Sequence, residues 1–179
     1  MQDTAIVGEW LSYINEIASN APYGDFVECG VYNGASAMQL AQNCKTTLHL
    51  FDSWEGISDL KDDDNDFYKN NQWITDIKNS QEYLKKFNNI KYYKGWFPDR
   101  FDDIKNVNIS LLHIDASLYY PTKLSLEYMW DKIIPGGYVI CNFHDDYSTG
   151  PKKAFYEFFK NTKNVIEYPK GIRLIIKNK

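Results

Sequence analysis

Glu28, Gly30 and Gly34 mark the place where a strand-like run over residues 25–30 empties into a glycine turn and then a helix, and Asp52 ends a second apolar run 24 residues after Glu28. These residue types at this spacing suit a nucleoside. Gly30 and Gly34 remove side chains so that the backbone can approach a ligand, the following helix offers N–H groups at its amino end, and an acid at the next strand end can accept two ribose hydroxyls. The pattern is Glu-x-Gly-x-x-x-Gly, and the three-glycine dinucleotide fingerprint Gly-x-Gly-x-x-Gly is missing. With no demand for a diphosphate cradle, a ligand with adenosine and no phosphate is expected.

A second set of reactive residues follows two later apolar runs: His113, Asp115 and Ser117 after one, and Asn142, His144, Asp145 and Asp146 after the other. Carboxylate and amide oxygens at two such strand ends are donors of the kind a hard divalent cation takes. Loop acids without a metal are the plain alternative. His113 lies within an apolar run and reads as a hydrogen-bonded core histidine, whereas His144 at a strand end is the better proton acceptor. The acidic stretch 59–66 resembles a calcium loop only superficially, because the sixth position counted from Asp62 is Phe67 and the twelfth is Trp73. It reads as a solvated loop, with a lid over the ligand as the functional alternative and Tyr68 and Trp73 as its contacts.

The elements that position these residues alternate. Helices are expected over 6–17, 35–44, 80–87, 98–104, 122–133 and 151–161, and strands over 26–29, 47–51, 90–94, 109–114, 138–142, 165–168 and 172–176. That alternation means parallel β-α-β units with right-handed crossovers. Only Pro169, Lys170 and Gly171 separate the last two strands, which is too short for a parallel crossover, so they pair antiparallel. The fold class is therefore α/β, a Rossmann-like, mostly parallel seven-stranded sheet with an antiparallel last strand and helices on both faces. One domain over 1–179 is expected, with residues 1–22 as a helix packed on the core.

Composition agrees. The 179 residues are 44% apolar and 16% aromatic, ample for one core. A formal net charge of −4 argues against a nucleic-acid partner, which needs a basic face. The three cysteines are far apart in apolar runs and read as buried free thiols. No basic leader and no long apolar run is seen, so a soluble cytoplasmic protein with no membrane partner is expected.

The Glu28 to Ser36 turn resembles motif I of class I S-adenosylmethionine-dependent methyltransferases. The segments around Asp52-Ser53-Trp54-Glu55-Gly56, Gly95-Trp96-Phe97-Pro98, His113-Ile114-Asp115-Ala116-Ser117 and Pro135-Gly136-Gly137, in this order, are similar to the macrocin O-methyltransferase (TylF-type) family. The turn is also similar to that of catechol O-methyltransferase. The resemblance implies S-adenosylmethionine as cofactor, with Glu28, Gly30, Tyr32 and Ser36 around its methionine end, Asp52 on the ribose, Gly95 and Trp96 against adenine, and Asp115 at the reacting end. It implies Mg2+ held by Asp115 with Asn142 or Asp145, and a hydroxyl of a sugar, phenol or glycan as acceptor. Ser117 departs from the family pattern, which has a carboxylate base there, so this function is lost or moved, with His144 and His113 as the available replacements. The chain is short for the family at its amino end, and a homodimer could supply the missing acceptor wall. Two other classes stay open: a nicotinamide or nucleotide-sugar enzyme on a similar sheet, and a non-catalytic S-adenosylmethionine-binding module.

Overall fold

Strands that are apolar on both sides need helices on both faces, and the central segments meet that condition: β1 (Asp25–Cys29) and β2 (Leu48–Asp52) are buried at four of five positions and β4 (Ile109–Ile114) at all six. The computed structural model describes residues 4–58, 60–64, 67–143, 148–162 and 164–178. With β3 (Ile90–Lys94), β5 (Ile133–Asn142), β6 (Val165–Glu167) and β7 (Ile172–Ile176), these strands form one seven-stranded sheet in the order β3-β2-β1-β4-β5-β7-β6. The first five run parallel, and β7 inserts antiparallel between β5 and β6. The expected α/β sheet with its reversed last strand is what forms.

Alternation along each strand divides the core in two. One face collects Val27, Cys29, Leu112, Ile114 and Val139 under α4 (Tyr119–Met129), α5 (Thr149–Phe158) and a 3-10 helix (Phe97–Ile104). The other face collects Phe26, Leu48, Leu111, Ile140 and Leu174 under α1 (Thr4–Ser19), α2 (Ala35–Asn43) and the region of α3 (Ile77–Tyr83). Ile14 and Ile17 bring the apolar stripe of α1 into this second layer beside α2, so the amino-terminal helix covers a sheet face.

Cys29, Cys44 and Cys141 are free and buried, as expected, and burial pushes the Cys29 thiol up to about 12. Among the described residues no helix is long and apolar enough to cross a membrane.

Candidate functional site

Parallel strands deliver whatever follows them to one edge, and the carboxyl ends of β1, β2, β4 and β5 bring Gly30, Asp52, Asp115 and Asn142 there. Gly30 has φ +90°, and a Cβ on it would lie 2.4 Å from the carbonyl oxygen of Asp115. The close approach that requires glycine at this position is therefore to the chain's own β4–α4 segment, where a ligand had been expected. Gly34, also at φ +90°, faces the Leu84 side chain at 3.3 Å, so it lets α2 start against the α3 region.

Asp52 organises the turn. Its Oδ2 accepts the backbone N–H of Val31 at 2.7 Å and of Tyr32 at 2.8 Å, while Oδ1 accepts that of Trp54 at 2.7 Å. Two of the turn's N–H groups, those of Val31 and Tyr32 ahead of α2, are thus bound by protein. A carboxylate has about four acceptor positions, so these bonds leave roughly one for a ribose hydroxyl. Gly95 donates its N–H to the Asp52 carbonyl at 3.0 Å, which sets Trp96, exposed and stacked on Phe97, near the end of β2. Tyr32 is exposed and meets Trp73 edge-on at 5.8 Å, forming a second aromatic rim. Trp54, to which sequence reasoning gave no role, is buried at φ 55° and donates Nε1–H to the Tyr32 carbonyl at 3.0 Å.

The β1–β4 register pairs Glu28 with His113, and both are fully buried. His113 Nδ1 lies 2.8 Å from Glu28 Oε1, and Ser36 also hydrogen-bonds the carboxyl group. Burial pushes Glu28 upward against the pull of His113; burial would push His113 down, but the Glu28 carboxylate outweighs it and leaves the imidazole raised. The pair thus keeps a proton between its two members. Glu28 Oε2, His113 Nε2 and the nearby Trp10 Nε1 have no hydrogen-bond partner among the described residues. His113 is the core histidine that its apolar strand suggested.

At the neighbouring strand ends, Asn142 Nδ2 donates to Asp115 Oδ1 at 3.1 Å, and the buried Asn142 Oδ1 has no hydrogen-bond partner among the described residues. Ser117 follows Asp115 on the same segment, part-buried. His144 and Asp145 lie outside the described residues, so of the predicted metal set Asp115 and Asn142 are the two seen to meet. No group of three or more His, Cys, Asp or Glu that could hold a metal occurs among the described residues. In kind, these donors fit a hard cation: Asp115 brings a carboxylate and Asn142 an amide oxygen that has no partner among the described residues.

The loop after β2 contains residues that the sequence had marked only as acidic. Asp64 accepts the N–H of Tyr119 at the start of α4, Asp63 pairs with Lys153 of α5, and Tyr68 is buried with its hydroxyl 2.9 Å from Ser148. These acids are tied to two helices, where a solvated loop was expected. Ser148 and Asp64 carried no sequence signal beyond their polarity.

A family model described as macrocin O-methyltransferase (TylF) matches residues 8–172. A demethyldecarbamoylnovobiocin O-methyltransferase of Streptomyces niveus is 27% identical over 154 residues, 75% of this chain and 56% of the relative. A rhamnosyl-tetracenomycin-C 4'-O-methyltransferase of Streptomyces olivaceus is 23% identical over 149 residues, 74% of this chain and 56% of its own. The chain thus spans little more than half the length of these relatives. Among solved structures, the O-methyltransferase NovP superposes with a TM-score of 0.75 at 20% identity, covering 96% of this chain and 80% of that one. The calicheamicin methyltransferase CalS11 superposes with a TM-score of 0.70 at 17% identity, covering 97% and 78%.

Proposed function

The chain belongs to the macrocin O-methyltransferase (TylF) family, and we propose that it transfers the methyl group of S-adenosylmethionine to a hydroxyl of a sugar or small natural product. The observation that carries the reading is the meeting of Asp115 and Asn142 at 3.1 Å beside the turn braced by Asp52. A nucleoside site and a polar notch for an acceptor then share one edge of the sheet. The relatives' names specify methylation of demethyldecarbamoylnovobiocin and of a rhamnosyl tetracenomycin, which supports an acceptor of that kind.

The sulfonium methyl is already activated, so the protein's task is alignment and proton loss. Tyr32 and Trp96 border the cofactor, Asp52 takes a ribose hydroxyl with its remaining acceptor position, and Glu28 supports the methionine end from beneath the turn. The acceptor oxygen is held in line with the methyl group near Asp115. As the C–O bond forms the S–C bond breaks, leaving S-adenosylhomocysteine and releasing the hydroxyl proton. Ser117 offers only an aliphatic hydroxyl, a weak base, and His113 is enclosed with Glu28, so His144 is the proton acceptor in this reading. Asp115, Asn142 and Asp145 would hold Mg2+; when bound, such an ion orients the acceptor oxygen and lowers its pKa.

The test is transfer of labelled methyl from S-adenosylmethionine to rhamnosyl conjugates and phenols, with Mg2+ and with a chelator. Label on a hydroxyl oxygen is expected. Binding of S-adenosylhomocysteine with no transfer to any hydroxyl acceptor would leave a binding module in place of the enzyme.

A further inference from the structure

The end of β5 is steered from the strand beside it. In the antiparallel β5–β7 ladder Arg173 stands opposite Cys141, and Ile172 opposite Asn142. Opposed residues share a face of the sheet, and a long side chain also reaches the diagonal neighbour two residues on, which for Arg173 is Phe143. The contact is made: the guanidinium carbon lies 5.3 Å from the centre of the Phe143 ring.

Both partners are enclosed. Arg173 is buried although it carries a charge. Its Nε donates to the Tyr156 hydroxyl of α5 at 3.4 Å and lies 3.4 Å from Glu167 Oε1 of β6, while Nη1 donates to the Ile172 carbonyl at 3.2 Å. Tyr156 in turn donates its hydroxyl to Glu167 at 3.3 Å. Phe143 packs against Phe155 and Tyr156, with ring centres 5.7 and 6.2 Å away, and donates its N–H to the Gly171 carbonyl at 3.0 Å. The attraction of a guanidinium to an aromatic face is strongest where water is excluded, as it is here.

Phe143 matters because of the residue before it. Side chains alternate along a strand, so Cys141 and Phe143 enter the α4–α5 layer and Asn142 is sent to the opposite face. Extending the β4–β5 register one step past Ile114 and Cys141 sets Asp115 opposite Asn142, where the 3.1 Å bond forms. A turn of the strand end that withdrew the Phe143 ring would carry the Asn142 amide away from Asp115 as well. We propose that Arg173 is a positioning residue: through the Phe143 ring it fixes the end of β5 and so sets the Asn142 amide against Asp115. That these two residues face the acceptor rests on the methyl-transfer reading; the positioning itself does not. The β6–β7 hairpin thereby serves the cleft as well as completing the sheet.

Three substitutions test this. Arg173→Met keeps the length and removes the charge, Arg173→Lys keeps a cation able to face the ring, and Phe143→Leu removes the ring. The first readout needs no acceptor: exchange of the Asn142 side-chain amide with water, followed by NMR and assigned through Asn142→Asp. Exchange is expected to quicken about tenfold in Arg173→Met and in Phe143→Leu, to quicken no further when the two are combined, and to stay within about twofold of wild type in Arg173→Lys. The second readout is transfer of labelled methyl from S-adenosylmethionine to a rhamnosyl conjugate, where kcat should fall about tenfold in Arg173→Met while the cofactor KM stays unchanged. A merely structural Arg173 would lower the melting temperature and leave amide exchange and kcat as in wild type, and that result overturns the proposal. Additive effects in the double variant overturn it too. Should Arg173→Met fail to fold, Phe143→Leu decides by itself, and unchanged amide exchange there is equally fatal. A wild-type chain that transfers no methyl removes the functional reading, and amide exchange still decides the positioning.

Discussion

The carboxylate of Asp52 holds the backbone of Val31: Oδ2 accepts its N–H at 2.7 Å and, from the same position, that of Tyr32 at 2.8 Å. Successive N–H groups pointing at one anion form a nest, and in many nucleotide sites that nest is filled by phosphate. Here the anion is built in. The turn therefore has no open nest for a diphosphate, and the β2 acid is a brace of the β1–α2 turn beside the ribose role proposed for it.

Asp52→Ala should therefore damage both the turn and the cofactor site. Each charge-assisted hydrogen bond is worth roughly 1.5–3 kcal/mol, so a lower melting temperature and at least tenfold weaker S-adenosylhomocysteine binding are expected. Asp52→Asn keeps an acceptor oxygen and should fall between. Calorimetry and thermal melts check this, and an alanine variant with wild-type values in both would dismiss the brace.

Gly30→Ala should be worse for stability than its size suggests. The residue sits at φ +90°, and its new methyl would stand 2.4 Å from the Asp115 carbonyl oxygen, forcing β1 and the β4–α4 segment apart. Left-handed strain alone costs about 1–2 kcal/mol, and displacement of a backbone carbonyl adds to it. A fall in melting temperature of roughly 5–15 °C is expected, and a change of only a degree or two would show that the two segments can separate freely.

These two residues show what the sequence could and could not disclose. Residue types fixed by chemistry, such as the Glu28, Gly30, Gly34 and Asp52 set, were legible, and the alternation of apolar runs gave the sheet and its reversed last strand. Partners were not legible, because they depend on register: Glu28 meets His113 only since β1 lies beside β4 with those residues opposed. Element starts failed for the same reason. Helix α4 begins at Tyr119, ahead of the expected Thr122, where Asp64, distant in the chain, accepts its first N–H. Strand β5 begins at Ile133, ahead of the expected Tyr138, since backbone bonds of Gly136 and Gly137 with Lys177 carry the pairing past the glycines. Helix α3 begins at Ile77 because Asp76 caps it, accepting the Lys78 N–H at 2.9 Å, and that signal was available in the sequence.

Acid should weaken the fold first through His49. The ring is buried, with Nε2 3.1 Å from Asp25 Oδ2 and Nδ1 2.8 Å from the Tyr93 hydroxyl. Burial pulls its pKa below the usual 6.5 although Asp25 pulls it back, so the neutral ring donates from Nε2 to Asp25 and accepts at Nδ1 from Tyr93. For Asp25, burial raises the pKa but hydrogen bonds from Thr46 and His49 outweigh it, leaving it below 3.8. Both folded pKa values are depressed. The His49 contribution is therefore present above pH 6.5 and lost as pH falls through its folded value, and that of Asp25 is lost only on further acidification below 3.8. Urea melts from pH 7.5 to 4 should show stability declining below about 6.5, and His49→Gln should flatten that decline. A decline of the same size in His49→Gln would assign it to other groups.

Asn142→Asp tests the cation directly. The change sets a second carboxylate where the Asn142 amide now lies 3.1 Å from Asp115 Oδ1. Two carboxylates at that distance cannot both ionise cheaply unless a proton or a cation lies between them. In chelator the variant should melt below wild type. Mg2+ at about one hundred times its Kd would return roughly 2.7 kcal/mol, or about 5–10 °C for a chain of this size. Asp115→Ala in the same background should abolish the Mg2+ response while leaving S-adenosylhomocysteine affinity intact, because Asp52 and the turn it braces stand on the neighbouring strands. If neither the wild type nor Asn142→Asp responds to Mg2+, the metal leaves the mechanism. Asp115 and Asn142 then act as a polar clamp on the acceptor, and proton loss falls to His144.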